Sequence, residues 1–151
     1  MRYLNLTSEI KQSDYEAILK WALEHCTQFS LTWRTEWEVE DTANKLYQEL
    51  LPFFIREEDT DEWPGTKIFD ETATVAFYNL TDKSKEILSK IHLFNFEMPL
   101  YPEDLAIYKE NGDCWFGSVA HEQMAFFMDP FLTSVDIKAH LPNIDVDIFE
   151  E

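Results

Sequence analysis

Three residues near position 120 have side chains suited to catalysis: Cys114, His121 and Glu122. A thiolate activated by an imidazole is a common nucleophile, and a histidine beside a carboxylate is a common acid/base pair. Cys114 lies seven residues before His121, so the two meet only if the segment between them folds back. The structural alternative is a buried cysteine beside Trp115 and Phe116, with a histidine that hydrogen-bonds a nearby carbonyl or carboxylate.

The spacing of cysteines and histidines does not indicate a metal site. Zinc ligands usually come from spaced pairs such as C-x₂-C or H-x₃-H, and the two cysteines and four histidines form none. His121-Glu122 begins like H-E-x-x-H, but residue 125 is alanine. With three glycines in the chain, neither G-x-x-x-x-G-K nor G-x-G-x-x-G is present. We therefore expect no resident metal and no cofactor.

The densest charge lies in residues 57–62, where five of the six side chains are carboxylates. Like charges this close repel one another, which favours an exposed loop. The functional alternative is a binding edge for a basic partner, with Trp63 as its aromatic anchor, because tryptophan is enriched among interface hot spots. The predicted partner-binding residues are Glu57, Glu58, Asp59, Asp61, Glu62 and Trp63.

The whole chain is strongly acidic, with a formal net charge of −18 over 151 residues. The charge is concentrated in two segments: residues 36–62 carry ten acids and two bases, and residues 96–151 carry twelve acids and two bases. Such a surface repels phosphate backbones and anionic lipid but attracts a basic protein. We therefore expect a basic protein partner, no nucleic acid and no membrane, although the same charge also serves solubility alone.

The apolar content is high for so charged a chain. Hydrophobic residues make up 45% and aromatic residues 15%, which predicts a folded domain with its own core rather than disorder. The sequence has neither a secretory signal pattern nor a continuous apolar stretch of membrane-spanning length. We expect a cytoplasmic protein with two reduced cysteines.

Local patterns predict the elements that position these residues. Ser13 and Glu16 match a capping box at the start of a helix, and Asn111-Gly112 between two β-prone runs is a strong hairpin signal. The predicted helices cover about 14–28, 40–51, a third from Thr81 or Asp82, and about 129–140. The predicted strands cover 2–6, 30–34, 66–80 (a hairpin with its turn at 70–71), both arms of the Asn-Gly hairpin, and 123–128. The tail after the last helix, through Asp145, Asp147 and Glu151, is expected to fray. This composition predicts a single α+β domain over residues 1–151, with five or six mostly antiparallel strands and three or four helices.

Two segments resemble a group of short bacterial proteins, some of which are labelled stage III sporulation protein. The segments are Pro102 to Tyr108 followed by Cys114 to Glu122, with a P-E-D-L…Y…W-F…H-E pattern, and Glu62 to Thr66. The resemblance covers about half of the chain and implies a common fold. It implies no activity, and no functional residue is carried over from it.

We expect a non-enzymatic, acidic protein-binding module that neutralises a basic partner, as immunity proteins do with secreted toxins. One alternative is a small enzyme built on Cys114 and His121, or on His121 and Glu122. The other is a mimic of nucleic-acid charge, which requires carboxylates spaced like phosphates along one face.

Overall fold

A computed structural model describes residues 2–34 and 38–150. Within these ranges the chain forms four helices and ten strands. The helices are α1 (Gln12–His25), α2 (Asp41–Leu50), α3 (Asp82–Ser89) and α4 (Ser134–His140). The strands are β1 (Arg2–Leu6), β2 (Gln28–Trp33), β3 (Phe54–Thr60), β4 (Glu62–Trp63), β5 (Thr66–Lys67), β6 (Ala73–Asn79), β7 (Glu103–Tyr108), β8 (Cys114–Val119), β9 (Met124–Phe127) and β10 (Val146–Glu150).

Eight of these strands form one antiparallel sheet in the order β10-β1-β9-β8-β7-β2-β6-β3, and β4 and β5 form a separate hairpin. The predicted α+β class is confirmed, but the structure has more strands than the five or six expected. One of the additional strands is β10, in the tail expected to fray. It pairs with β1 along its whole length, so that Arg2 lies opposite Glu150.

The helices cover one face of the sheet and enclose the larger core. In α1 the buried side chains of Tyr15, Ile18, Leu19 and Ala22 recur at three- and four-residue spacing, which places them on one helix face. They pack with residues of the sheet such as Phe127, which is fully buried. This face is held together by apolar and aromatic packing.

The β4–β5 hairpin covers part of the opposite face. Side chains alternate along a strand, so Val75 and Phe77 of β6 face the hairpin while their neighbours face the helices. Gly117 makes room for this second layer, because a Cβ atom there would lie 2.6 Å from the Phe126 ring. The hairpin turns at Gly65, whose φ of +84° suits a residue without a side chain.

The acidic run differs most from its prediction, since residues 54–60 form strand β3 and not a loop. Glu57 pairs with Ala76 and Asp59 with Thr74, which makes β3 an outer strand of the sheet. Its carboxylates remain in water, so their mutual repulsion is screened and does not prevent strand pairing. The hairpin predicted within 66–80 is also wrong, because β5 pairs with β4.

The helix starts are partly as predicted. Thr81 caps α3 as expected, with its Oγ1 accepting from the backbone N–H of Ser84 at 3.1 Å. At α1 the capping acid is Asp14, whose carboxylate accepts from the backbone N–H of Lys11 at 2.9 Å, so the predicted Ser13–Glu16 box is not formed. The last helix begins at Ser134, after a Thr133 cap, several residues later than predicted.

Candidate functional site

Strand β3 carries three consecutive exposed carboxylates, and we call Glu57, Glu58 and Asp59 the acidic edge. Within the described chain no strand pairs with the outer side of β3, so its outward backbone groups stay open. Arg56 of the same strand places its guanidinium 3.9 Å above the centre of the Phe77 ring and 3.1 Å from Glu58 Oε1. The acidic edge is therefore an open β edge with excess negative charge.

Asp61 and Glu62 continue the run into the β4–β5 hairpin, where both are exposed. Lys67 Nζ lies 3.2 Å from Asp61 Oδ2 and 3.9 Å from Glu62 Oε2. These two carboxylates share one lysine, so they are more nearly neutralised than those of the acidic edge.

Trp63, the predicted aromatic anchor, is a core residue. Its side chain is buried against the hairpin face of the sheet, and its Nε1–H donates to Asp104 Oδ2 at 2.8 Å. The predicted partner-binding set therefore divides into five exposed carboxylates and one buried indole. The ring does not project to the surface, because its hydrogen bond and its apolar contacts are satisfied inside.

The structure does not bring Cys114 and His121 together. Cys114 opens strand β8 and His121 follows its far end, a separation of roughly 20 Å at about 3.3 Å per strand residue. The Cys114 thiol donates to the carbonyl of Phe116 at 3.3 Å, and burial raises its pKa to about 12. A thiol held in the protonated form is a poor nucleophile.

His121 and Glu122 lie in a 3₁₀ turn after β8 (Ala120–Glu122), and both are exposed. They line one side of a cavity of about 530 Å³. Arg34 and Glu103 line it as well, and we name it the Glu103 cavity. The pair predicted from sequence thus lies at a concave site, next to a carboxyl group that the sequence reasoning did not single out.

Glu103 is the buried acid of this cavity, with 7% of its surface exposed. Burial raises its pKa from 4.5 to about 7, and the nearby Asp104 charge acts in the same direction. The Arg34 guanidinium, with Nη1 3.7 Å from Glu103 Oε2, opposes that rise. Near neutral pH the Glu103 carboxyl therefore exchanges between its protonated and charged forms.

Asp104 holds together the elements that form one wall of the Glu103 cavity. Its backbone has a φ of +59°, at the point where the β2–β7 register shifts. Its carboxylate accepts from the indole of Trp63 and, at 3.0 Å, from the backbone N–H of Ala120. Burial raises the pKa of Asp104 while these two bonds lower it. One side chain thus joins β7, the hairpin and the 3₁₀ turn.

A sequence signal for this site existed in the segment Pro102-Glu103-Asp104. Two adjacent acids precede the continuous apolar run Leu105 to Tyr108, and acids next to a buried strand are uncommon unless they are paired. As a carboxylate pair, however, Glu103-Asp104 does not stand out in so acidic a sequence, where such a pair is as typical of the surface as of an acid/base site.

Neither a family model, nor a curated protein, nor a solved structure matches this chain. The resemblance to short bacterial proteins therefore stays a prediction. Among residues 2–34 and 38–150, no three histidine, cysteine or acidic side chains are arranged to hold a metal ion. No helix in this part of the chain has both the length and the apolar character needed to cross a bilayer.

Proposed function

We propose that this protein is a non-enzymatic binding module that pairs a basic, extended segment of another protein with strand β3. The observation that carries the proposal is the acidic edge itself: three consecutive exposed carboxylates on an outer strand whose outward side is open. Extended segments bind such edges by adding a strand, with the affinity supplied by main-chain hydrogen bonds.

The charge of the acidic edge selects the partner. An open β edge can pair with a strand of any other chain, and proteins commonly place charged side chains on such edges to prevent this pairing. Two copies of this chain would bring like charges together at β3, which disfavours self-association. A lysine- or arginine-rich strand instead forms ion pairs with Glu57, Glu58 and Asp59.

The surroundings of the acidic edge strengthen this preference. From Phe54 to Lys67 the chain carries five acids and two bases, a net charge of −3. Such a field speeds the encounter with a basic surface and makes the association sensitive to salt. A protein of this kind that covers the cationic site of a nucleic-acid-acting toxin would be an immunity protein, which is the biological role we propose.

The enzyme alternative built on a cysteine nucleophile loses support from the geometry. Cys114 lies far from His121 along β8 and its thiol is held protonated by burial. The binding proposal requires no reaction from either residue.

A defined peptide tests the proposal directly. An octapeptide of lysine, which presents cations on both faces of an extended strand, is titrated calorimetrically into the protein, at about 50 mM and about 500 mM salt, which span moderate to strong screening. Replacing Glu57, Glu58 and Asp59 with Gln, Gln and Asn is expected to weaken binding about tenfold, since each exposed ion pair contributes roughly 0.2–1 kcal/mol. Binding by the unchanged protein is expected to weaken at the higher salt.

Two controls separate strand addition from unspecific attraction. The same charge change at the opposite edge (Asp145→Asn, Asp147→Asn and Glu150→Gln) is expected to leave the affinity nearly unchanged. A peptide with the same charges but alternate N-methylated amides is expected not to bind, because it cannot complete a β ladder. Equal losses at both edges, or full binding of the methylated peptide, would refute the proposal.

A further inference from the structure

We infer that the Glu103 cavity binds an alkylguanidinium group, with the cationic head against the Glu103 carboxylate and the aliphatic stem against Met98 and Val119. The inference is independent of strand addition at β3. Glu103 lies three strand spacings from β3, which is about 14 Å at roughly 4.8 Å per strand, so the two sites can be altered separately.

The cations that line the cavity are already paired. The Arg34 guanidinium is bound to Glu71 and lies 3.7 Å from Glu103, so its charge is already shared with acids. Lys67 is turned toward Asp61, at 3.2 Å. Neither cation is available to attract an anionic ligand into the cavity.

The acids that line the cavity are incompletely paired. Among the described residues, Glu97 and Glu122 line it without any ion pair, and Glu103 shares the guanidinium of Arg34 with another acid. The charge that remains inside the cavity is negative. A compact cation is therefore the ligand class that the electrostatics favour.

Guanidinium suits this site better than ammonium does. It is planar, weakly hydrated and able to donate two parallel hydrogen bonds to one carboxylate. It therefore loses less hydration free energy than an ammonium group does when it enters a buried position. The ligand also stabilises the charged form of Glu103, because a cation in contact with its carboxylate offsets the burial that raises its pKa to about 7.

The walls of the cavity fit an aliphatic stem. Met98 and Val119 line it with buried side chains, next to the polar groups. Alkyl stems of cationic side chains pack readily on apolar surfaces of this kind. The wall is held in place by Asp104, whose carboxylate binds both Trp63 and Ala120, so Glu103 is positioned before the ligand arrives.

Binding by this mechanism depends on pH with a defined sign. The ligand requires ionised Glu103, so the affinity rises as the pH increases through the Glu103 pKa. It falls by up to about tenfold for each pH unit below that value. The other charged groups that face Glu103 are Arg34, Asp104, His121 and Glu97.

The test uses n-butylguanidinium as the probe, followed by amide NMR shifts and calorimetry at pH 8. Saturable binding with shifts around Val119 and His121 is expected. Glu103→Gln is expected to weaken binding at least tenfold, whereas Glu110→Gln, in the exposed turn after β7, is expected to bind like the unchanged protein. n-Butylammonium is expected to bind more weakly than the guanidinium.

A second measurement decides the outcome without any variant. The pKa of Glu103, followed by carboxyl NMR of the unaltered protein, is expected to fall when the probe saturates the cavity. No saturable binding, equal binding by a folded Glu103→Gln variant, or an unchanged Glu103 pKa would each overturn the inference.

A peptide arm distinguishes the two sources of a guanidinium group. If the source is an arginine of a protein, a blocked Gly-Arg-Gly peptide binds the cavity as butylguanidinium does, and Glu103→Gln weakens both. If the source is a free small molecule, butylguanidinium binds and the blocked peptide does not. Loss of the acidic edge carboxylates leaves butylguanidinium binding intact, so failure of the strand-addition proposal is seen separately.

Discussion

The two faces of the large sheet are built on different principles. The helical face is an apolar core in which Tyr15, Ile18 and Phe127 are fully buried. The hairpin face is also covered, but it buries polar side chains: Ser30, Thr32, Glu103 and Asp104. Buried polar groups cost free energy unless they are paired. The comparison indicates that packing on the helical face stabilises the fold. This stabilisation offsets the free-energy cost of burying ionisable groups beside a cavity on the hairpin face.

The largest effect that tests this contrast is expected from Asp104→Ala. The change leaves the indole N–H of Trp63 and the backbone N–H of Ala120 without their acceptor, inside the protein. It also places alanine at a φ of +59°. We expect a loss of about 2–4 kcal/mol in the free energy of unfolding, since each unpaired buried donor costs roughly 1–3 kcal/mol. Urea denaturation measures it.

Asp104→Asn is the matched variant for that experiment. Asparagine tolerates the left-handed backbone and keeps one acceptor oxygen, so we expect about half of the loss. If Asp104→Ala is as stable as the unchanged protein, the polar network does not hold the hairpin face together and the contrast between the faces fails.

The next effect is the pH dependence of stability that Glu103 introduces. Its pKa rises from 4.5 to about 7 on folding, so folding favours the protonated form. This contribution is fully present below pH 4.5, declines as the pH rises, and is lost above about pH 7. Relative to Glu103→Gln, which stays neutral, we expect the unchanged protein to lose about 1–2 kcal/mol over that range, a value reduced by water in the cavity.

Urea denaturation of both proteins at pH 4.5, 6 and 8 measures this difference. The opposite trend, with the unchanged protein gaining stability over Glu103→Gln as the pH rises, would mean that Arg34 dominates over burial. In that case Glu103 would be a fully ionised partner of Arg34, and the cavity would offer less to a cationic ligand.

Local patterns predicted most of the elements on the helical face. The three- and four-residue spacing of Ile18, Trp21 and Ala22 indicated α1, and the capping residue Thr81 indicated the start of α3. The Asn111-Gly112 turn indicated the β7–β8 hairpin, which the structure contains. These signals are local because the residues involved are close in sequence and act through backbone geometry.

The features of the sheet edges and of the hairpin face depend on contacts distant in sequence, which no local pattern encodes. Glu57 becomes part of a strand because β6 lies beside it, and Val146 to Glu150 do so because β1 lies beside them. Trp63 was predicted to be exposed because it follows a charged run, yet its partner, Asp104, lies 41 residues away. The raised pKa of Glu103 likewise follows from burial, which only the tertiary fold creates.

The smallest expected effect compares two hydroxyls on one strand of the hairpin face. Ser30 Oγ hydrogen-bonds the Tyr108 hydroxyl at 2.9 Å, whereas Thr32 Oγ1, two residues later, is buried without a hydrogen-bond partner among the described residues. Ser30→Ala is expected to cost about 1 kcal/mol. Thr32→Val keeps the shape and removes the unpaired hydroxyl, so we expect a gain of about 0.5–1 kcal/mol.

Thermal and urea denaturation of the two variants in parallel give the comparison. A loss on Thr32→Val as large as that on Ser30→Ala would show that the Thr32 hydroxyl has a partner in solution. Because Thr32 lies opposite Glu103 in the β2–β7 pairing, that partner would be water or a ligand next to the Glu103 carboxyl. The same variant would then be expected to weaken butylguanidinium binding, whereas a stabilised Thr32→Val protein would be expected to bind it unchanged.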